Sequence, residues 1–254
     1  MKKIMFSLII LSMAFTFGQN KMYIWKNSTI TDSMDITNDL KISFKSVSPI
    51  PLEGLVAYYP FNGNANDESG NGNNGTPYGG ATLVTDRNGH PNEAYSFDGT
   101  SGYIETNLDV QPIAMPTTTW SAWVYPRSTN ISKRQHFLSG DDGNYDRDFG
   151  IESNTTQFMV YTGSVWKPAV VAVNQWSHVV IIYTPTKVYF YLNGVKYTYS
   201  GSPSGQASTK KLRFGASGTG TPATEYVNAM IDDVLIYNRA LTDAEIQALY
   251  TNGK

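Results

Sequence analysis

The 254-residue chain contains no cysteine. That absence excludes disulfide staples, thiolate catalysis, a lipidated cysteine and thiolate-built zinc sites. Stability has to come from buried core area, or from a bound ion. Histidine is nearly as scarce. Its three copies, His90, His136 and His178, stand apart and lack the i, i+4 spacing of a helical metal site. His178 lies in an apolar segment and reads as a structural residue. Charge is low too: 19 basic and 21 acidic residues give a net charge of -2, and the basic ones are scattered. No positive field is available to gather phosphates, so nucleic acid is not an expected partner. Long apolar runs are absent beyond the N-terminus, and no membrane span is expected past it.

Residues 1–18 combine a basic start (Lys2, Lys3) with an apolar stretch too short to cross a bilayer comfortably. Thr16 and Gly18 are small residues placed before a cut preceding Gln19. The segment reads as a cleaved secretory signal, which puts the mature chain in the secreted, cell-surface or periplasmic class. Residues 19–53 read as a short β-rich leader. It has one strand at Met22–Lys26, a polar turn around Asn27, a second strand at Leu40–Phe44, and a linker stiffened by Pro49 and Pro51.

From Gly54 to Thr251 the pattern is short aromatic and β-branched segments broken by Gly, Asn and Pro. Period-two alternation with turn residues at such intervals predicts an all-β, two-sheet antiparallel sandwich. The firmest strands are Thr118–Tyr125, Thr156–Tyr161, Trp176–Tyr183 and Lys187–Leu192. Asn193-Gly194 then supplies a two-residue turn tolerant of positive φ, and Val195, Tyr197 and Tyr199 lie on the return strand. The one helix expected is C-terminal. Thr242 is its N-cap, Glu245 completes a capping box, and Leu241 is placed to staple against Ile246.

Five successive segments resemble the LamG-like, concanavalin A-like lectin/glucanase jelly roll. They are Gly54–Asn62, Asp67–Thr76, Ala94–Glu105, Trp176–Gly194 and Ile231–Tyr250. The resemblance implies a two-sheet jelly roll with a short C-terminal helix over residues 54–251, often binding glycans or proteins and often carrying a structural calcium ion. It implies no activity, because the fold hosts catalysts and binding modules alike. The glucanase branch carries a Glu-x-Asp-x-x-Glu strand. None of the seven glutamates here has an aspartate two positions on, so that motif is absent. The Gly70–Gly75 match to a dinucleotide fingerprint lacks a following helical period and is set aside.

Two groups of oxygen-bearing residues remain. Asp67, Asn71 and Asn73 lie in a Gly-rich loop, which is the kind of segment that supplies carbonyl and carboxylate oxygens to calcium. The resemblance adds Asp232, and Asp98 in the Phe-Asp-Gly turn is a further candidate. Turn capping explains such residues equally well. The acidic run Asp141, Asp142, Asn144, Tyr145, Asp146, with Trp166 in a later loop, has the aromatic surface and hydrogen-bonding groups that a sugar requires. In its bland reading the run is a solvated connection that Arg147 helps neutralise. Asp146 and Asp148 share a face if extended, and form the carboxylate pair that a hydrolase would need. The resulting expectation is a secreted, non-catalytic module that binds an extracellular glycan or glycoprotein and is stabilised by calcium. A hydrolase acting on glycosyl bonds and an adhesive surface protein without sugar specificity are the alternatives.

Overall fold

The computed structural model describes residues 13–18, 21–26, 29–35, 50–141, 147–200, 211–217 and 225–252. The chain divides into two compact units, Met1–Val47 and Ser48–Lys254. The first holds an antiparallel sheet of β1 (Met13–Gly18), β2 (Lys21–Lys26) and β3 (Thr29–Asp35), in that order. Strand β1 falls within the segment read as a secretory signal, and Gly18 pairs with Lys21 across the expected cut. The partner strand on the far side of β2 is β3, which begins sooner than the sequence pattern suggests. Leu40–Phe44 lies outside the described residues.

The second unit begins with β4 (Leu55–Tyr59), β5 (Thr76–Tyr78), β6 (Thr82–Val84), β7 (Ala94–Asp98) and β8 (Tyr103–Glu105). It continues through β9 (Thr118–Pro126), β10 (Gln135–Ser139), β11 (Asp148–Ile151), β12 (Phe158–Tyr161) and β13 (Val165–Trp166). Strands β14 (Ser177–Tyr183), β15 (Val188–Leu192), β16 (Val195–Thr198), β17 (Arg213–Phe214) and β18 (Asn228–Tyr237) precede helix α1 (Asp243–Asn252). One sheet runs β13-β12-β11-β10-β17-β8-β5. The other runs β16-β15-β14-β9-β18-β7-β6, with β4 also paired to β18.

The core lies between the two sheets. Phe137, Phe149, Phe158 and Phe214 from the seven-stranded sheet meet Trp120, Phe190, Val179 and Ile231 from the eight-stranded one. Phe149 and Phe190 approach to 5.9 Å between ring centres, and Tyr59 stands edge-on to Phe214 at 4.9 Å. Alternation identifies these positions but fails on β9 and β14, where residues on both faces are buried. The reason is α1. Leu241, Ile246 and Leu249 cover Val180, Tyr191 and Leu235 on the outer face of the eight-stranded sheet. The capping box forms as predicted, with the Glu245 amide donating to Thr242 Oγ1 at 3.2 Å and the Thr242 amide to Glu245 Oε2 at 2.8 Å. The Asn193-Gly194 turn takes φ of 51° and 81°, which closes the β15–β16 hairpin with Leu192 opposite Val195.

Candidate functional site

The outer face of the seven-stranded sheet is polar, and a bulge makes it so. On β10, His136 pairs with Gly150 and Leu138 with Phe149, leaving Phe137 as the extra residue. A bulge lets consecutive positions escape strict alternation. Phe137 and Leu138 both enter the core, while His136 and Ser139 both face outward with Asp148, which pairs with Ser139. His136 Nε2 lies 2.9 Å from Glu225 Oε2, and its Nδ1 lies 3.4 Å from Asp148 Oδ1. Burial alone would lower the His136 pKa, but the two flanking carboxylates outweigh it and raise it to about 10. Burial pushes the Asp148 carboxyl up against the opposing pull of His136, whereas the hydrogen bond from His136 holds Glu225 below its usual range. The imidazolium thus joins two carboxylates of unequal proton affinity.

The same face continues across β17 and β8. Arg213 pairs with Ser139 on one side and with Glu105 on the other, and its guanidinium holds Glu105 at 2.6 and 2.8 Å. It also lies 5.1 Å over the ring of Tyr103. Tyr103 in turn stacks on its cross-strand partner Tyr78, with ring centres 4.9 Å apart and planes 16° apart. Tyr226 is 6.4 Å from Tyr103, and Tyr78 is 45% exposed at the sheet edge. Acidic, basic and aromatic groups therefore form one continuous strip.

Of the acidic run, Asp141 is described. Asp141 follows β10, and its carboxylate accepts from Ser217 Oγ at 3.4 Å. Asp142, Asn144, Tyr145 and Asp146 lie outside the described residues. Trp166 is half-buried on β13. It pairs with Val160 on the core side of the sheet and packs against Tyr199 at 5.6 Å. Arg147, expected to neutralise the acidic run, instead points inward and donates to the carbonyls of Val110, Met115 and Pro116.

A second polar site occupies the opposite outer face, where β18 carries another bulge. Its pairing with β9 shifts between Asp232 and Leu235, and Asp233 takes φ of 46°. Here β18 exchanges one neighbour, β7, for another, β4. Ile231 and Val234 enter the core, while Asp232 and Asp233 both meet the guanidinium of Arg87, with Asp233 Oδ2 at 2.5 Å. Burial and neighbouring Asp233 raise the Asp232 pKa to about 8, against the pull of Arg87. Arg87 also lies 4.8 Å over Trp123, and Asp233 accepts from the Tyr58 hydroxyl at 3.1 Å. Beside the pair, Asp86, His90 and Glu93 bring ligand atoms within 4.8 Å of one another.

The five residues expected to hold calcium are engaged with other parts of the protein. Asp67 accepts backbone N–H groups from Tyr58, Ser69 and Asn73 at 2.9 to 3.0 Å. Burial alone would raise its pKa, but these bonds outweigh burial and hold it low. Asn71 and Asn73 direct their amide nitrogens at the Val56 carbonyl. Asp98 accepts from the amides of Thr100, Ser101 and Gly102 and from two hydroxyls. Asp232 already faces Arg87. Donors thus occupy the carboxylate oxygens of Asp67 and Asp98, which serve as loop caps.

Two antiparallel sheets with this covering helix define a concanavalin A-like β-sandwich, an architecture shared by sugar-binding modules and glycoside hydrolases. The Concanavalin A-like lectin/glucanases superfamily matches residues 98–247, more than half of the chain, and the protein belongs to it. No curated protein matches. Among solved structures, the chain is similar to domain 4 of AbnA, a GH43 extracellular arabinanase from Geobacillus stearothermophilus solved with arabinotriose. The TM-score is 0.58 at 20% identity, covering 77% of this chain and 98% of that one. It is also similar to a botulinum neurotoxin type C structure described as depending on two ganglioside molecules for cell entry (TM-score 0.60, 15% identity, 80% of this chain). A third is the binding domain of Paraclostridial Mosquitocidal Protein 1 (TM-score 0.62, 17% identity, 80% of this chain). The chain spans about half the length of these two, 52% and 53%. At such identities the likeness is one of fold.

Proposed function

We propose that this protein is a secreted, non-catalytic module that binds extracellular glycans or glycoproteins through the outer face of its seven-stranded sheet. One observation carries the reading: exposed Tyr78 and half-buried Tyr103 and Tyr226 lie beside the Arg213–Glu105 pair, on the face that also carries His136, Asp148 and Glu225. Sugars present flat C–H faces flanked by hydroxyls, and an aromatic surface bordered by fixed charged groups matches both. The arabinotriose complex of the similar arabinanase domain makes arabinotriose a sensible first probe, alongside a panel of ganglioside and plant-type oligosaccharides. Calorimetric titration of the exported chain is expected to find a ligand whose affinity drops about tenfold or more in Tyr78→Ala with Tyr226→Ala. An affinity unmoved by that double variant refutes the assignment of the face.

The unequal carboxylates around His136 favour hydrolysis as a second reading, since acid and base roles need proton affinities that differ. Release of reducing ends from any polysaccharide, abolished by Asp148→Asn or Glu225→Gln, would establish it over the binding role.

A further inference from the structure

We propose a second saccharide site on the far side of the sandwich: a two-part groove across the outer face of the eight-stranded sheet that takes two neutral sugar rings. It shares the ligand class of the function proposed above but none of its residues. The groove consists of two cavities, of about 210 and 240 Å³, that share Tyr58, Arg87 and Asp233 as a common wall. Each is smaller than the roughly 300 Å³ at which drug-sized pockets begin, which suits a single ring.

The two halves differ in chemistry. The first lies between the sheet and α1, where Leu235, Leu249 and Trp123 give it apolar walls while Ser121 and Asn252 supply polar groups. The second is lined by Asn62, Asp86, Asn88, His90, Glu93 and Asp232; Asp86 already accepts from the Asn88 and His90 amides and Asp232 faces Arg87, which leaves Glu93, Asn62 and Asn88 to accept from a ligand. Sugar hydroxyls are donors that carboxylates accept well, whereas an added carboxylate or sulfate would meet Asp86, Glu93 and Asp233 at close range. The one cation in the shared wall, Arg87, already engages Asp232 and Asp233. The site therefore selects neutral rings over uronates, sialates and sulfated sugars.

The backbone supports a built site. The bulge that turns Asp232 and Asp233 outward lies mid-strand, where β18 changes neighbours, and holds Asp233 at a φ of 46°. Such a residue is strained and persists only where its surroundings hold it. Bulges of this kind re-aim side chains beside functional sites.

The test uses ligand-observed NMR and calorimetry on the full chain, with maltose, cellobiose and lactose as neutral probes and a glucuronate-containing disaccharide as the anionic one. Asn252→Trp and Glu93→Trp fill the two cavities from exposed or half-exposed positions, outside the core. At least one neutral disaccharide is expected to bind, to lose about tenfold or more in affinity in each variant, and to be indifferent to Tyr78→Ala. The glucuronate probe is expected to bind more weakly. Neutral binding unchanged in both tryptophan variants, with melting points equal to the wild type, overturns the inference, as does equal affinity for the anionic probe or no binding by the wild type. A ligand lost with Tyr78→Ala but kept in Asn252→Trp would overturn this groove and leave the function proposed above standing.

Discussion

His178 should make stability fall in acid, and the size of the effect follows from its surroundings. The ring is buried on the outer face of β14, with its Nε2 2.9 Å from Ser121 Oγ and the rings of Trp123 and Tyr250 at 5.1 and 6.0 Å. Burial, aided by Arg87, lowers its pKa to about 3. An unfolded chain takes up this proton near pH 6.5. Between those values the unfolded state binds a proton that the folded state refuses, so the contribution is complete above about pH 6.5 and is lost as pH falls toward 3. The slope is about 1.4 kcal/mol per pH unit, on the order of 5 kcal/mol across the window. Asp232 works in the opposite sense. With its pKa raised to about 8, it favours the folded state at low pH and loses that contribution as pH rises. His136, with its pKa near 10, is fully charged below 6.5 and adds nothing to the slope there. The wild-type curve alone would therefore look flat, and a difference is required. Urea unfolding of wild type and His178→Gln at several values between about pH 4.5 and 6.5 supplies it. The wild-type advantage should shrink by about 1.4 kcal/mol for each unit of acidification. A gap that stays constant would refute the buried, neutral imidazole.

Three further outcomes follow from other parts of the fold. Thr242→Ala removes the cap bonded to the Glu245 amide and should cost about 1 kcal/mol in chemical unfolding. Gly215 takes φ of 90° and a Cβ there would overlap the Phe97 ring, so Gly215→Ala should destabilise by about 3 kcal/mol or more; a smaller loss would mean that the β17 turn relaxes. Chelator-treated protein should show no rise in melting midpoint on adding millimolar calcium, because donors occupy Asp67, Asp98 and Asp232. A clear rise would show that an ion displaces them.

How much of this was legible in the sequence depended on whether the local signal stood alone. The β15–β16 hairpin and the α1 cap were readable because Asn193-Gly194 and Thr242–Glu245 act within a few residues and need no tertiary help. The sandwich was readable because its aromatics alternate. The double burial of β9 and β14 was not, since it depends on a helix more than fifty residues further along the chain. The partners of the loop carboxylates were hidden for a related reason. Asp67 and Asp98 were chosen for their oxygens, and residue type does not reveal that nearby amides already donate to them.

The polar sites themselves lie where the alternation breaks, and there the sequence did hold a signal. A regular strand can present only every second residue to one face. Placing two polar side chains next to each other on that face, as Asp232 and Asp233 require for a single guanidinium, demands one extra residue in the strand. The apolar positions of β18 record that insertion: Ala229 and Ile231 are followed by Val234 and Ile236, so the period slips by one at the aspartate pair. On β10, the adjacent core residues Phe137 and Leu138 mark the same slip, and His136 and Ser139 stand on either side of it. Scanning strands for a one-residue phase change beside consecutive polar residues would have found Asp233 and His136 before any coordinates. It would not have found Arg87 or Glu225, which reach these bulges from loops whose approach depends on sheet order.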